Sequence, residues 1–122
     1  FTLRLVIQPL SFGGALLSPG NTYDFDPTGP GSGTDDITWT GSRLTPSSGT
    51  GLHNVGSAGL GTVNYSDAAS FTYAASPLTA GTLGPGDVFA VKTSGSHFAK
   101  VRVVSHTGTT LNIEEICYTY TF

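Results

Sequence analysis

Four acidic side chains are the first residues here whose types and spacing could do chemistry. Asp24, Asp26, Asp35 and Asp36 flank a Gly-rich stretch running from Thr28 to Thr34. Hard cations such as calcium collect several oxygen ligands from flexible backbone, so these residues are the calcium candidates. Their spacing is not that of an EF-hand loop, and Asp26 before Pro27 serves equally well in a turn. Solvated loop acids are therefore the preferred reading, and no cofactor is expected beyond that calcium candidacy.

His53, His97 and His106 are scattered without ligand-like spacing, and neither a Gly-x-Ser-x-Gly elbow nor a His-Glu-x-x-His pattern occurs. A Ser-His-Asp site built from distant residues is recognised by geometry rather than spacing, but nothing in the chain points to one. The expectation is a protein that is not an enzyme. Trp39, Tyr65, Tyr73, Tyr118 and Tyr120 could supply the flat amphipathic surfaces on which sugar rings stack. Against that, alternation groups Tyr118 and Tyr120 with Ile116 and Phe122, which argues for core packing. Asn64-Tyr65-Ser66 is a formal glycosylation acceptor.

Strict alternation at the start of the chain is the strongest functional signal. Phe1, Leu3, Leu5 and Ile7 point one way while Thr2, Arg4, Val6 and Gln8 point the other, as in a half-buried strand, until Pro9 ends the pattern. This apolar row either joins the chain's own sheet or completes the sheet of a neighbouring copy by strand addition. Ser11-Phe-Gly-Gly14 could serve as a hinge for the second arrangement, and head-to-tail exchange of that kind builds filaments rather than closed dimers.

These candidates must be positioned by strands. The 122 residues fit a single domain, 1–122, with charged residues at 11% and a formal charge of −3, so the basic field needed for nucleic acid is missing. The only lysines are Lys92 and Lys100, strong helix formers are scarce, and no apolar run is long enough to span a bilayer. Cys117 is the only cysteine, which excludes an internal disulfide framework. A start at Phe1 without an initiator Met, together with the Thr- and Ser-rich, Lys-poor composition, leads to the expectation of an exported, processed protein at the cell surface or outside the cell.

Residues 87–104 read as a β-hairpin around Ser94-Gly95-Ser96. A three-residue loop pairs Val91 with Ala99, Phe89 with Val101 and Asp87 with Val103. That register gives one apolar face and places Lys92, Lys100 and Arg102 together on the outer one, as a basic stripe or a solvated edge. Short strands are expected at 22–26, 35–39, 62–65 and 70–74. The last segment shifts its apolar phase at Glu114-Glu115, where a β-bulge would return both halves to the core. With a turn at Thr107-Gly108-Thr109 the C-terminal segment 87–122 becomes a β-meander, and the whole an antiparallel β-sandwich of Ig-like or jelly-roll-like type, the alternative being a partly open barrel.

The strand Phe89-Ala-Val-Lys-Thr93 followed by Ala99-Lys-Val-Arg-Val103 resembles the C-terminal meander of exported bacterial and archaeal β-domains of uncharacterised function. The alternating N-terminal strand resembles the donor strands of pilus-type subunits. These resemblances imply an exported all-β module without an active site. The leading expectation is a structural subunit of an extracellular filament or surface assembly, a homopolymer joined through Phe1, Leu3, Leu5 and Ile7. The alternative is a carbohydrate-binding or adhesion module that presents Trp39 or a tyrosine to glycans.

Overall fold

In a computed structural model of the chain, residues 6–25, 35–57, 65–93 and 97–121 are described. The strands are β1 (Val6–Leu17), β2 (Thr22–Tyr23), β3 (Ile37–Trp39), β4 (Arg43–Pro46), β5 (Gly51–Ser57), β6 (Leu78–Thr79), β7 (Asp87–Lys92), β8 (Phe98–Thr107) and β9 (Thr110–Thr121), with one short helix, α1 (Tyr65–Ser70), between β5 and β6. They form two antiparallel sheets, a five-stranded one in the order β1-β9-β8-β7-β5 and a four-stranded one in the order β2-β3-β4-β6. The sheets do not close into a barrel, so the expected all-β sandwich is the architecture.

The β7–β8 hairpin forms because its β-branched and aromatic residues suit a pleated, buried surface. Phe89 opposes Val101 and Val91 opposes Ala99, the register expected from the sequence. All four are buried, and Thr93 N–H donates to the His97 carbonyl at the loop end of the hairpin. The loop residues Ser94, Gly95 and Ser96 lie outside the described residues. At the next connection Thr107 pairs with Thr110, leaving Gly108-Thr109 as a tight turn with glycine first, the arrangement suited to a type II′ hairpin.

The core lies between the sheets. Phe89, Val91, Ala99, Val101, Val103, Leu111 and Ile113 from the large sheet pack with Ile37, Trp39 and Leu44 from the small one, and Phe25, Leu52 and Leu83 fill the space around them. A smaller apolar cluster sits on the opposite face of the large sheet, where Ala68 and Val88 are fully buried among Val55, Phe71 and Phe98.

Four expectations are corrected. The strand expected at 70–74 is not formed, and of the strand expected at 62–65 only Tyr65 lies within the described residues. Tyr65–Ser70 is α1, where Asp67 in the first turn complements the helix dipole and Ala68-Ala69 are strong helix formers, and Ala74 makes only a bridge to Leu52. α1 and the chain after it form a strap over the outer face of the large sheet. That strap breaks up the expected solvated stripe: Lys92 is exposed, Lys100 is only 6% exposed, and Arg102 pairs with Glu114.

The bulge expected at Glu114-Glu115 falls elsewhere. β9 runs unbroken through these residues, and the extra residues are Val104 in β8 and Leu10 in β1. Glu115 therefore keeps its inward phase with Leu111 and Ile113 and is 4% exposed, with the Tyr23 hydroxyl donating to its Oε1 at 3.4 Å. Finally, Pro9 does not end the first strand. β1 continues to Leu17, because proline is tolerated beside a bulge on an edge strand, where a missing N–H costs little.

Candidate functional site

β1 occupies one edge of the five-stranded sheet, and β9 is its only strand neighbour among the described residues. The pairing runs from Val6↔Thr121 to Leu17↔Leu111. At its far end Leu17 enters the core at 3% exposure and Ala15 packs against it, while Leu16 faces outward at 66%. A Cβ added at Gly14 would meet the Ile113 carbonyl oxygen at 3.0 Å, which measures how closely the two strands approach.

Of the expected interface residues, Ile7 stands opposite Tyr120 in this ladder. Phe1, Leu3 and Leu5 lie outside the described residues. The expected hinge, Ser11 to Gly14, is ordinary strand, with Ser11 paired to Cys117 and Gly14 to Glu114. The segment lies inside β1 and not between it and the next strand, so it does not connect β1 to the rest of the chain as a hinge would.

The chain leaves β1 through a turn at Ser18–Asn21 that carries it from the large sheet to the small one. Asn21 N–H donates to the Ser18 carbonyl at 2.9 Å, Ser18 N–H donates to Asn21 Oδ1 at 2.9 Å, and Gly20 N–H donates to the Trp39 carbonyl at 2.6 Å. Pro19 lies against Gly41, where an added Cβ would be 3.1 Å from its Cγ. The Ser-Pro-Gly-Asn sequence carries a plain turn signal, and only the topology reveals that it joins the two sheets.

The acidic group does structural work at the one position where its role is clearest. Asp36 is fully buried, its Oδ2 accepts from the Phe25 N–H at 2.7 Å and its Oδ1 from the Thr50 hydroxyl at 3.3 Å. It brackets the entry to β3. Asp35 is exposed, Asp24 is half-buried, and Asp26 lies outside the described residues. Among the described residues no three His, Cys, Asp or Glu side chains gather as a metal site.

Trp39 is not a platform. It has no exposed surface, its indole N–H donates to the Thr109 carbonyl at 2.7 Å, and its ring meets His106 edge-on at 5.6 Å. Alternation along β3 places Trp39 and Ile37 on the same inward face, which decides the matter against sugar stacking. The half-buried aromatic rings of the outer face belong instead to the strap. His53 stacks on Phe71 at 4.3 Å, Tyr73 lies 5.8 Å from Phe98, and the Tyr73 hydroxyl donates to the Ala68 carbonyl at 2.6 Å. Burial pushes the Tyr73 phenol well above its ordinary pKa. These rings spend their faces on one another, tying strap to sheet. The side chains of Tyr65, Tyr118 and Tyr120, and the acceptor Asn64, are outside what is described.

The remaining histidines are also engaged locally. His53 Nδ1 lies 3.2 Å from the Thr72 carbonyl and His106 Nδ1 3.0 Å from the Leu83 carbonyl. His97 sits at the hairpin loop.

Fold and edge together define an antiparallel β-sandwich whose long first strand, among the described residues, pairs with a strand on one side only. No protein family, curated protein or solved structure was found to match this chain.

Proposed function

We propose that this chain is a non-enzymatic structural subunit of an extracellular filament or cell-surface assembly, its copies joined through the first strand. One observation carries the reading. β1 spans 12 residues, yet β9 is its only strand partner among the described residues, and backbone N–H and C=O groups on an uncovered outward edge are what another chain would pair with. A long edge of this kind is the element through which β-proteins add strands across subunits.

Two further features support it. Low charge removes the like-charge repulsion that keeps many surfaces apart, with only 11% of residues charged. The burial of Trp39 removes the ring on which the carbohydrate-binding alternative chiefly rested, so glycan partners are not carried forward. The test is negative-stain electron microscopy of the purified chain over a range of concentrations. Ordered filaments or concentration-dependent oligomers are expected; uniform monomers throughout would sink the proposal.

A further inference from the structure

Resting on that reading, we infer that the turn Ser18–Asn21 is the hinge through which β1 is exchanged, so that β1 of one copy lies on β9 of a second copy of this chain. The connectivity is the first reason. β1 belongs to the large sheet and β2, the next strand, to the small sheet, so the two share no ladder. Detaching β1 breaks its pairing with β9 and leaves β2 in place on β3.

Chemistry at the turn is the second reason. The bent arrangement is held by the bonds from Asn21, Ser18 and Gly20 already described, and by Pro19 resting on Gly41. Gly20 has φ 91°, a backbone region that residues with a side chain rarely adopt. Straightening the turn releases that conformation and swings β1 away from its own body. The vacated position then exposes Leu111 and Ile113 beside the freed edge of β9, which stays paired to β8 on its other side. The segment whose length, register and inward Leu17 fit that site is another copy's β1. Short, constrained connections of this sort favour exchange between copies over closure within one.

The experiment uses register partners in β1 and β9, Leu16 and Asn112. Two full-length chains are prepared, one with Leu16→Cys and the other with Asn112→Cys plus a tag that distinguishes it by size. Each also carries Cys117→Ser, or Cys117→Ala should serine destabilise the strand. Mixed at concentrations where the protein assembles and then oxidised, they form a disulfide between unlike chains only where β1 of one copy lies on β9 of the other. A single chain carrying both cysteines, oxidised at high dilution, establishes that this pair can bond.

The expected result is a mixed disulfide in the assembled fraction, with a yield that rises several-fold when Gly20→Val is added to both chains, because valine is strained in the closed turn. A mixed disulfide whose yield ignores Gly20→Val overturns the hinge while leaving exchange standing. Assembled particles without the mixed disulfide overturn exchange itself. Monomers at every concentration remove the reading on which the inference rests.

Discussion

At Asp36 a carboxylate with no exposure accepts hydrogen bonds from the Phe25 N–H and the Thr50 hydroxyl, so its charge is used to hold two segments of chain together. Hydrogen bonds to charged groups are worth about 1.5–3 kcal/mol each. Asp36→Asn keeps the shape but not the charge, and is expected to lower stability by about 2 kcal/mol, read as a shifted urea midpoint with an unchanged slope. Trp39 is the only tryptophan, so its fluorescence reports one environment. We expect blue-shifted emission, weak acrylamide quenching and no response to glycans, and a loss of about 3–5 kcal/mol in Trp39→Ala. A red, readily quenched spectrum would contradict the burial. Tyr73 gives a pH dependence. Its folded pKa is raised, so the native state holds this proton more tightly than the unfolded state does, and the stability it contributes is present below about pH 10 and lost as the pH rises further. Ultraviolet titration should reveal one tyrosine ionising only as the protein unfolds. Tyr73→Phe should flatten the alkaline loss.

Among the elements, the strap depends on a close approach. An added Cβ at Gly51 would stand 2.6 Å from Tyr73 Cβ, closer than real contacts allow. Gly51→Ala must therefore push the chain at Tyr73 off β5, straining the backbone bonds between Leu52 and Ala74. Overpacking of this kind costs about 1–3 kcal/mol, and faster amide exchange at Leu52 and Ala74 with little change at β8 would locate the damage. The hairpin was legible because Phe89, Val91, Ala99 and Val101 alternate without interruption, and one register alone buries them all. The strap was not, because a helix of six residues is too short to display a period of 3.6. The bulges were misplaced for a related reason. An apolar phase shift says that two strands fall out of step, but the slack was taken up by the partners, at Val104 and Leu10, while β9 stayed regular.

Over the whole molecule, the proposed exchange makes one ladder, β1 on β9, the element that sets the balance between closed monomers and joined copies. Exchange replaces that ladder by an identical one, so the two states differ little in contacts and mainly in the turn and in the entropy of association. Assembly should therefore rise steeply with concentration while the circular dichroism spectrum stays the same. Removing residues 1–8, which takes the first part of β1, should leave folded chains whose sedimentation no longer depends on concentration. Sedimentation unchanged from the full chain would place the contact elsewhere, and loss of folding would mark β1 as needed by its own body.

The sequence by itself determined the all-β class and the β7–β8 register, because these depend on neighbours in sequence and on a period of two. Tertiary structure decided what periodicity cannot encode. Whether Trp39 faces a glycan or the core depends on a second sheet lying over β3, and whether Lys100 meets solvent depends on α1 crossing β8. Glu115 is inward because β9 remains straight, and the joint beside β1 is Ser18–Asn21 because there the chain passes from one sheet to the other. Each is a property of packing between segments distant in sequence, which local residue patterns do not carry.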